Sequence, residues 1–408
     1  MNVVRMAAMI MAASLGCAGL ARAQAAIDVF TSLPAGDASP ARQAQLQRLA
    51  REQAARSITV VRLKPGVLLS APVNSGRTLN FSAAMTFESV TRQATPLEGG
   101  RVLWKGDIGA SGDLPKGDAT IVVDGQDATG TVTAPDGRRF KLSPLGGGDT
   151  AVIELDYAKL PKDEPEGNPR VVAPGPGASN AVPPAAMGDA MPTIDLLVAY
   201  TPSAASSAGG IDALVDLATA ETNESFVASE VTARVRVVAR LAVAYVEDGK
   251  TFDDVMADFV KDPAVNAARD TARADVAVLI INKADYCGLA DDISATAATA
   301  FVIVHYGCAT GYYSFGHEIG HIAGARHDVA HDGSTSPYPF GHGYQHASST
   351  NGWRTIMGYS CDDGSCPTRL KYWSNPLVKY QGLPLGEAAQ ANNARVWNER
   401  APVVAAFR

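Results

Sequence analysis

Three histidines within residues 317–327 constrain this chain more than any other feature of its sequence. His317 and His321 are four residues apart, so on a helix their imidazoles project from one face, about one turn from each other. Gly324 can adopt the left-handed conformation that ends a helix, which lets His327 turn back towards the first two. The sequence therefore predicts a helix that stops at Gly324 and gathers three nitrogen ligands.

Such a set of ligands is typical of a catalytic zinc site. Three histidines leave one position of a tetrahedral zinc ion open for water, whereas a structural zinc ion has four protein ligands. Glu318 lies beside the ligands, where it can take a proton from that water and pass it to a leaving amine. We expect hydrolysis without a covalent intermediate, with His317, His321 and His327 on the metal and Glu318 as general base. The alternative is a helix that carries histidines by chance.

The residues around this site resemble a known family. The segment 317–328 (HEIGHIAGARHD) resembles the extended zinc signature of the metzincin metallopeptidases. The Asp328 that follows the third histidine makes the segment similar to the signature of the reprolysin branch. Met357, in TIMGY, resembles the methionine turn of these enzymes. Residues 372–376 (YWSNP) and 393–402 (NARVWNERAP) are similar to the bacterial peptidyl-Asp metalloendopeptidases. The resemblance covers roughly residues 193–408, and it implies a zinc endopeptidase that prefers Asp on the C-terminal side of the scissile bond.

The resemblance also implies roles for side chains near the methionine turn. Tyr359 stands two residues after Met357, where its hydroxyl could stabilise an oxyanion; the alternative is an ordinary packed tyrosine. A pocket for Asp needs a cation, and the candidates are Arg354, Arg369 and Lys371. For each of these the alternative is a solvated surface charge. Arg326 is expected to be a surface or structural residue.

The C-terminal half is predicted to be an α/β domain with a mostly parallel sheet. Near-continuous apolar stretches predict strands, and helical periodicity predicts helices between them. The predicted strands are 193–201, 234–245, 275–282 and 301–305, and the predicted helices are 211–230, 264–274 and 387–400, with Pro402 as the end or a kink of the last.

Residues 24–158 have a different pattern, with short apolar stretches separated by turn residues. Residues 119–125, 130–133 and 140–142 are predicted antiparallel strands, and only residues 41–58 have a helical pattern. Prolines and glycines then dominate residues 159–192, which predicts an extended linker to the domain at 193–408. We expect a β-rich propeptide here; the alternatives are a binding module retained by a working enzyme, or an exported, non-catalytic zinc-containing adhesion protein.

The first 23 residues have the layout of a secretory signal, with Arg5, an apolar stretch and a small-residue cleavage site at 21–23. A lipoprotein anchor at Cys17 is the alternative, but Ser14 stands where a large aliphatic residue is needed. Export to an oxidising compartment predicts two disulfides, and closeness in sequence favours Cys287 with Cys308 and Cys361 with Cys366. Residues 24–189 contain no cysteine, so latency is expected to come from steric cover or a carboxylate rather than a thiolate.

Charge narrows the range of partners. With 35 Lys and Arg against 42 Asp and Glu, the chain lacks the basic surface of a nucleic-acid or anionic-membrane binder. We expect protein or peptide substrates and a monomer. The acidic pairs 291–292 and 362–363 lack the spacing of a calcium loop and are predicted to be solvated turns. Three further histidines, His331, His342 and His346, are predicted surface-loop residues, and His305 a core-edge or cleft-wall residue.

Overall fold

The computed structural model describes residues 26–33, 39–52, 54–109, 117–165, 170–171 and 191–408. The predicted signal at 1–23 and most of the predicted linker at 159–192 lie outside these residues. In the described segments, no helix combines the length and apolarity needed to cross a membrane.

The N-terminal unit is β-rich, as predicted, and is built on one ten-stranded sheet. Its order is β1-β4-β5-β6-β7-β8-β9-β10-β3-β2, and every pair is antiparallel except β1 with β4. The strands are β1 (Ile27–Asp28), β2 (Phe30–Ser32), β3 (Ala55–Leu63), β4 (Gly76–Ser82), β5 (Met85–Pro96), β6 (Val102–Ile108), β7 (Gly117–Asp124), β8 (Asp127–Thr133), β9 (Arg139–Gly146) and β10 (Asp149–Leu155).

One sequence-based prediction for this unit is wrong in length. The predicted helix at 41–58 is a shorter helix, α1 (Pro40–Glu52), followed by β3. Residues 58–61 are rich in β-branched side chains, which suit a pleated surface, and here they pair with β10. Tertiary pairing therefore overrides the helical pattern at its C-terminal end.

The C-terminal unit has a mixed α/β architecture, as predicted. Its central sheet has the order β13-β12-β14-β17-β15; the first four strands are parallel and β15 is antiparallel at the edge. The remaining strands of the chain are β11 (Arg170–Val171), β12 (Thr193–Tyr200), β13 (Arg234–Ala242), β14 (Val276–Ile281), β15 (Gly288–Ala290), β16 (Asp292–Ile293), β17 (Phe301–His305), β18 (Gln345–His346), β19 (Trp353–Arg354), β20 (Thr368–Arg369), β21 (Asn375–Tyr380) and β22 (Leu383–Leu385).

Helices cover both faces of this sheet, which explains why its strands are apolar on both sides. The helices are α2 (Pro202–Ala208), α3 (Ile211–Ala228), α4 (Phe252–Lys261), α5 (Pro263–Ala272), α6 (Ser314–Ala323) and α7 (Asn393–Val404). Side chains of α2, α3, α6 and α7 share a core with one face of β12 and β14, and side chains of α4 and α5 share a core with the other.

Two helix predictions need correction. The sequence pattern did not predict α4, although a Thr251–Asp254 capping box begins it. The last helix begins at Asn393 rather than at 387, because the Asn392 side chain accepts the amide of Arg395 and caps it there. Pro402 lies inside that helix, not at its end.

Helix α3 lies between the two units. Leu103 and Val122 of the N-terminal sheet pack against Ala213, Leu217 and Ala220 of this helix. The same helix carries Asp212, Asp216 and Glu224, which pair with Arg92, Arg101 and Lys105 of the N-terminal unit. Glu221, on the same helix, accepts a hydrogen bond from the Thr131 hydroxyl. The N-terminal unit is therefore held by an apolar strip with complementary charges around it.

Candidate active site

The three predicted ligands converge at the end of α6. The helix ends at Gly324, whose φ of 105° is open to glycine and strained for other residues, and the chain then returns His327 towards the helix. Nε2 of His327 lies 3.2 Å from Nε2 of His317 and 3.1 Å from Nε2 of His321. Zinc–nitrogen bonds of 2.0–2.1 Å in a tetrahedron place the nitrogens about 3.3 Å apart. The donor set therefore fits a zinc ion.

Backbone carbonyls fix the orientation of the two helical ligands. Nδ1 of His317 lies 2.9 Å from the carbonyl of Ile356, and Nδ1 of His321 lies 2.8 Å from the carbonyl of Ala325. When each Nδ1–H donates to its carbonyl, the Nε2 lone pair is left for the metal.

The third predicted ligand is supported by a histidine that was predicted to lie in a surface loop. His342 is buried, and its Nδ1 lies 2.8 Å from the carbonyl of His327. The surface-loop prediction for His342 is therefore wrong. The Gly-rich surroundings of this residue indicated a loop, but this loop folds back under the ligand.

Glu318 is buried beside the ligands. A Cβ on Gly288 would lie 2.2 Å from its Oε1, so the edge strand β15 approaches the carboxylate closely and only glycine leaves room for it. Burial, together with the neighbouring carboxylate of Glu164, raises the pKa of Glu318 well above its usual range.

Met357 and Trp373 form the floor under α6. Both are fully buried, and a Cβ on Gly320 would lie 2.8 Å from the Trp373 ring and 3.2 Å from Met357 Sδ. Gly320 thus allows close packing between the helix and the residues beneath it. Met357 therefore lies directly beneath the helix that carries His317 and His321.

Tyr359 stands at the edge of the site. Its ring lies 4.1 Å from the ring of His327, and burial raises the pKa of its hydroxyl. Its amide donates to Oδ2 of Asp328 at 2.9 Å, so the residue after the third ligand fixes the chain that leaves the methionine turn.

A fourth side chain, which the sequence pattern does not indicate, joins the histidines. Glu164 is buried; its Oε1 lies 2.8 Å from Nε2 of His321 and 3.3 Å from Nε2 of His317, and its Oε2 lies 3.4 Å from Nε2 of His327. The four side chains form the group best placed to hold a metal ion among the described residues. The imidazoles lower the pKa of Glu164 against the effect of burial.

The neighbouring residue, Asp163, contacts Arg369, which is one of the three predicted specificity bases. Nη1 of Arg369 donates to Oδ1 of Asp163 at 2.8 Å, and Nη2 of Arg369 lies 3.0 Å from Nδ1 of His317. Arg354 bonds to the carbonyls of Cys366 and Pro367. Both arginines are buried, so the alternative of a solvated surface charge is wrong for them.

Lys371 has a different environment. Its ammonium binds Asp118 of the N-terminal unit and Glu224 of α3, both at 2.6 Å. The structure thus brings Arg369 into the metal site and uses Lys371 in the contact between the two units.

The remaining sequence predictions have mixed outcomes. The two predicted disulfides, Cys287–Cys308 and Cys361–Cys366, are both present. Arg326 is a structural residue that binds the carboxylate of Asp332. Asp292 is buried in β16, which contradicts the prediction of a solvated turn there, whereas Asp362 is fully exposed. His331 is partly exposed and pairs with Asp328, His346 packs on Trp353, and His305 is buried beside Tyr306.

Fold and site together define a metallopeptidase. Residues 191–374 match the family Reprolysin_5, described as metallo-peptidase family M12.

Curated proteins similar to this chain show the family to which it belongs. The "Peptidyl-Asp metalloendopeptidase" of Xanthomonas campestris pv. campestris is 37% identical over 89% of this chain and 88% of that protein. The protein of the same name from Stenotrophomonas maltophilia strain K279a is 42% identical over 73% of each chain. Metalloproteinase-II from Bacteroides fragilis, a solved structure, gives a TM-score of 0.44 at 10% identity over 74% of this chain and 88% of that one. The chain belongs to the peptidyl-Asp metalloendopeptidase family and is a zinc metalloendopeptidase.

Proposed function

We propose that this chain is an exported zinc endopeptidase, made as a precursor, that cuts peptide bonds on the N-terminal side of Asp. The observation that carries the proposal is the convergence of three imidazole Nε2 atoms beside a buried glutamate. A non-catalytic adhesion protein has no need of Glu318 in that position.

The residues divide the work of hydrolysis among them. His317, His321 and His327 would hold zinc, and a zinc ion there would supply a Lewis acid that polarises the scissile carbonyl and acidifies water. Glu318 takes the proton of the attacking water and delivers it to the leaving amine nitrogen. The Tyr359 hydroxyl donates a hydrogen bond to the carbonyl oxygen as negative charge develops on it.

Arg369 supports the preference for Asp. It is the one predicted specificity base that contacts both a carboxylate and a metal-binding imidazole among the described residues. The names of the relatives from Xanthomonas and Stenotrophomonas point to the same preference. A digest of a peptide library tests it, and we expect Asp to be strongly enriched immediately after the cut. Cuts scattered over apolar residues would remove the Asp preference and leave the peptidase assignment intact.

The precursor form is supported by the position of the N-terminal unit. Glu164 occupies the cleft, and Arg139 of β9 donates to the Tyr313 hydroxyl at 2.7 Å and to the carbonyl of Arg369 at 2.6 Å. The signal-like N-terminus and the two disulfides support export. N-terminal sequencing of the active form should give a start near residue 190; a start near Gln24 would instead mean that the unit is a retained module.

A further inference from the structure

Resting on the proposed preference for Asp, we propose that Asp163 and Glu164 form a built-in substrate mimic. Asp163 occupies the pocket that Arg369 provides for the aspartate of a substrate, and Glu164 occupies the open position of the metal site. The propeptide thereby blocks both places that a substrate needs.

Backbone contacts hold this segment against the edge of the central sheet. Lys162 pairs with Tyr286 in a parallel bridge, and its carbonyl accepts the amide of Cys287 at 2.8 Å. The carbonyl of Asp163 accepts the amide of Gly288 at 3.1 Å. An added strand on an open sheet edge is a recurrent way to bind an extended peptide. The propeptide segment is therefore bound as a peptide ligand would be.

The carboxylate of Asp163 lies in a built pocket. Besides Nη1 of Arg369 at 2.8 Å, the hydroxyl of Tyr312 lies 3.4 Å from Oδ2 of Asp163. The guanidinium of Arg369 stacks on the Tyr312 ring at 4.5 Å, and Nη2 of Arg354 donates to the Tyr312 hydroxyl at 3.3 Å. A buried arginine and a tyrosine thus contact a short acidic side chain, and a second buried arginine holds the tyrosine. A cationic fork on a carboxylate is the chemistry that aspartate recognition requires.

The metal position is taken by the very next residue. Both carboxylate oxygens of Glu164 are buried and lack a directional hydrogen bond to any described residue, although all three imidazole Nε2 atoms lie within 3.4 Å of them. A bound cation would satisfy these oxygens. Adjacent residues are 3.8 Å apart at Cα, so the metal site and the Arg369 pocket are one residue step apart. A scissile carbonyl and the aspartate that follows it have the same separation.

The order of the two residues predicts that the segment is not cut. In a substrate that is cut before Asp, the residue at the metal precedes the Asp in the Arg369 pocket along the chain. The propeptide places Asp163 in the pocket first and Glu164 at the metal second, so it runs in the opposite direction. Since the propeptide is parallel to the sheet edge at Tyr286, substrates are inferred to bind antiparallel to it.

Synthetic peptides of residues 160–168 (LPKDEPEGN) test the proposal on the processed enzyme. The parent peptide should inhibit competitively and stay intact. Asp163→Asn and Glu164→Gln should each raise the inhibition constant about 10- to 100-fold, the range for losing a bond to a charged group. Glu166→Gln removes the same charge from the same peptide and is the matched control, with less than a threefold effect expected. Equal inhibition by all four peptides would refute the mimic.

Arg369→Met and the conservative Arg369→Lys extend the test to the protein. Arg369→Met should lower kcat/KM for an Asp substrate far more than for the matched Ala substrate, and it should abolish the difference between the parent and Asp163→Asn peptides. Arg369→Lys should restore part of the preference for the Asp substrate and part of the difference between the two peptides. If the wild type prefers Asp and Arg369→Met keeps that preference, the pocket is wrong; if the wild type shows no such preference, the proposed function itself fails.

A spectroscopic measurement on the intact chain does not depend on activity. In a Glu318→Gln background, which prevents self-cleavage, the cobalt-substituted chain should change its visible absorption when Glu164→Gln is added and should not change with Glu166→Gln. An unchanged spectrum for Glu164→Gln would show that this carboxylate does not reach the metal.

Discussion

Glu221 should make the intact chain less stable as the pH rises from 4.5 to above 7. This α3 side chain is 3% exposed; it accepts the Thr131 hydroxyl of the N-terminal unit at 2.5 Å and the amide of Gly311 at 2.9 Å. Burial raises the pKa of Glu221 from 4.5 to about 7, although Lys371 acts in the opposite direction. The native state therefore holds a proton that the exposed carboxyl loses.

The sign and the size of the change in stability with pH follow from the raised pKa of Glu221. A raised pKa gives stability that is complete below pH 4.5 and is lost as the pH rises through 7. A difference of about 2.5 pKa units corresponds to about 3 kcal/mol as an upper value. The other charged groups facing Glu221 titrate elsewhere. Burial lowers the pKa of Lys141 to about 8, so the contribution of Lys141 to stability changes above that pH. Burial raises the pKa of Tyr313, which takes its titration further above neutrality.

Thermal unfolding of the intact chain, again in the Glu318→Gln background, measures the effect. The melting temperature of Glu221→Gln minus that of its parent should increase by several degrees between pH 4.5 and 7.5, since about 3 kcal/mol shifts the melting temperature of a large domain by that order. Glu224→Gln is the matched control on the same helix. Lys371, Lys105 and Arg92 lower the pKa of Glu224 to about 2, against the effect of burial, so its contribution is lost only at more acidic pH. A pH-independent difference for Glu221→Gln would refute the assignment of this buried proton.

Three further predictions concern the site. Glu318→Gln should retain zinc and lose at least about 100-fold in peptide hydrolysis, because the amide cannot accept the water proton; metal analysis with a turnover assay checks both. Thiol-modifying reagents should not activate the intact chain, because residues 24–189 lack cysteine, and activation without cleavage would contradict this. Gly320→Ala should destabilise the chain by about 1–3 kcal/mol in denaturant unfolding, because its Cβ meets the Trp373 ring at 2.8 Å and this outweighs the gain of about 1 kcal/mol in helix propensity; a stability equal to or above the wild type would contradict the close packing.

Much of the site could be predicted because its information is local. His317, Glu318, His321 and Gly324 lie within one helix and its end, so helical geometry alone places them together. The strands of the central sheet were also predictable, since strands buried on both faces are apolar throughout. The two disulfides follow from short separations of 21 and 5 residues.

The residues that were missed are joined by long-range contacts. Glu164 meets His317 across about 150 positions of sequence, and its Pro-rich surroundings suggested only a linker. The lack of cysteine in residues 24–189 predicted a carboxylate or steric block, but the order of residues in the sequence could not indicate which acid lies against the three histidines. His342 was predicted to lie in a surface loop, and for Arg369 a solvated surface charge was the alternative, whereas both side chains are buried. Burial of a polar side chain depends on partners distant in the sequence, which a local pattern does not contain.

The blocking glutamate belongs to the same polypeptide as the histidines it meets, and this sets the concentration at which it acts. A tethered ligand experiences an effective concentration in the millimolar range, which does not change when the protein is diluted. One cut between Glu164 and the first strand of the catalytic sheet at Thr193 turns the same contact into an association between two molecules. From then on the block weakens with dilution, so a processed enzyme that remains inhibited at high concentration becomes active once it spreads into a larger volume.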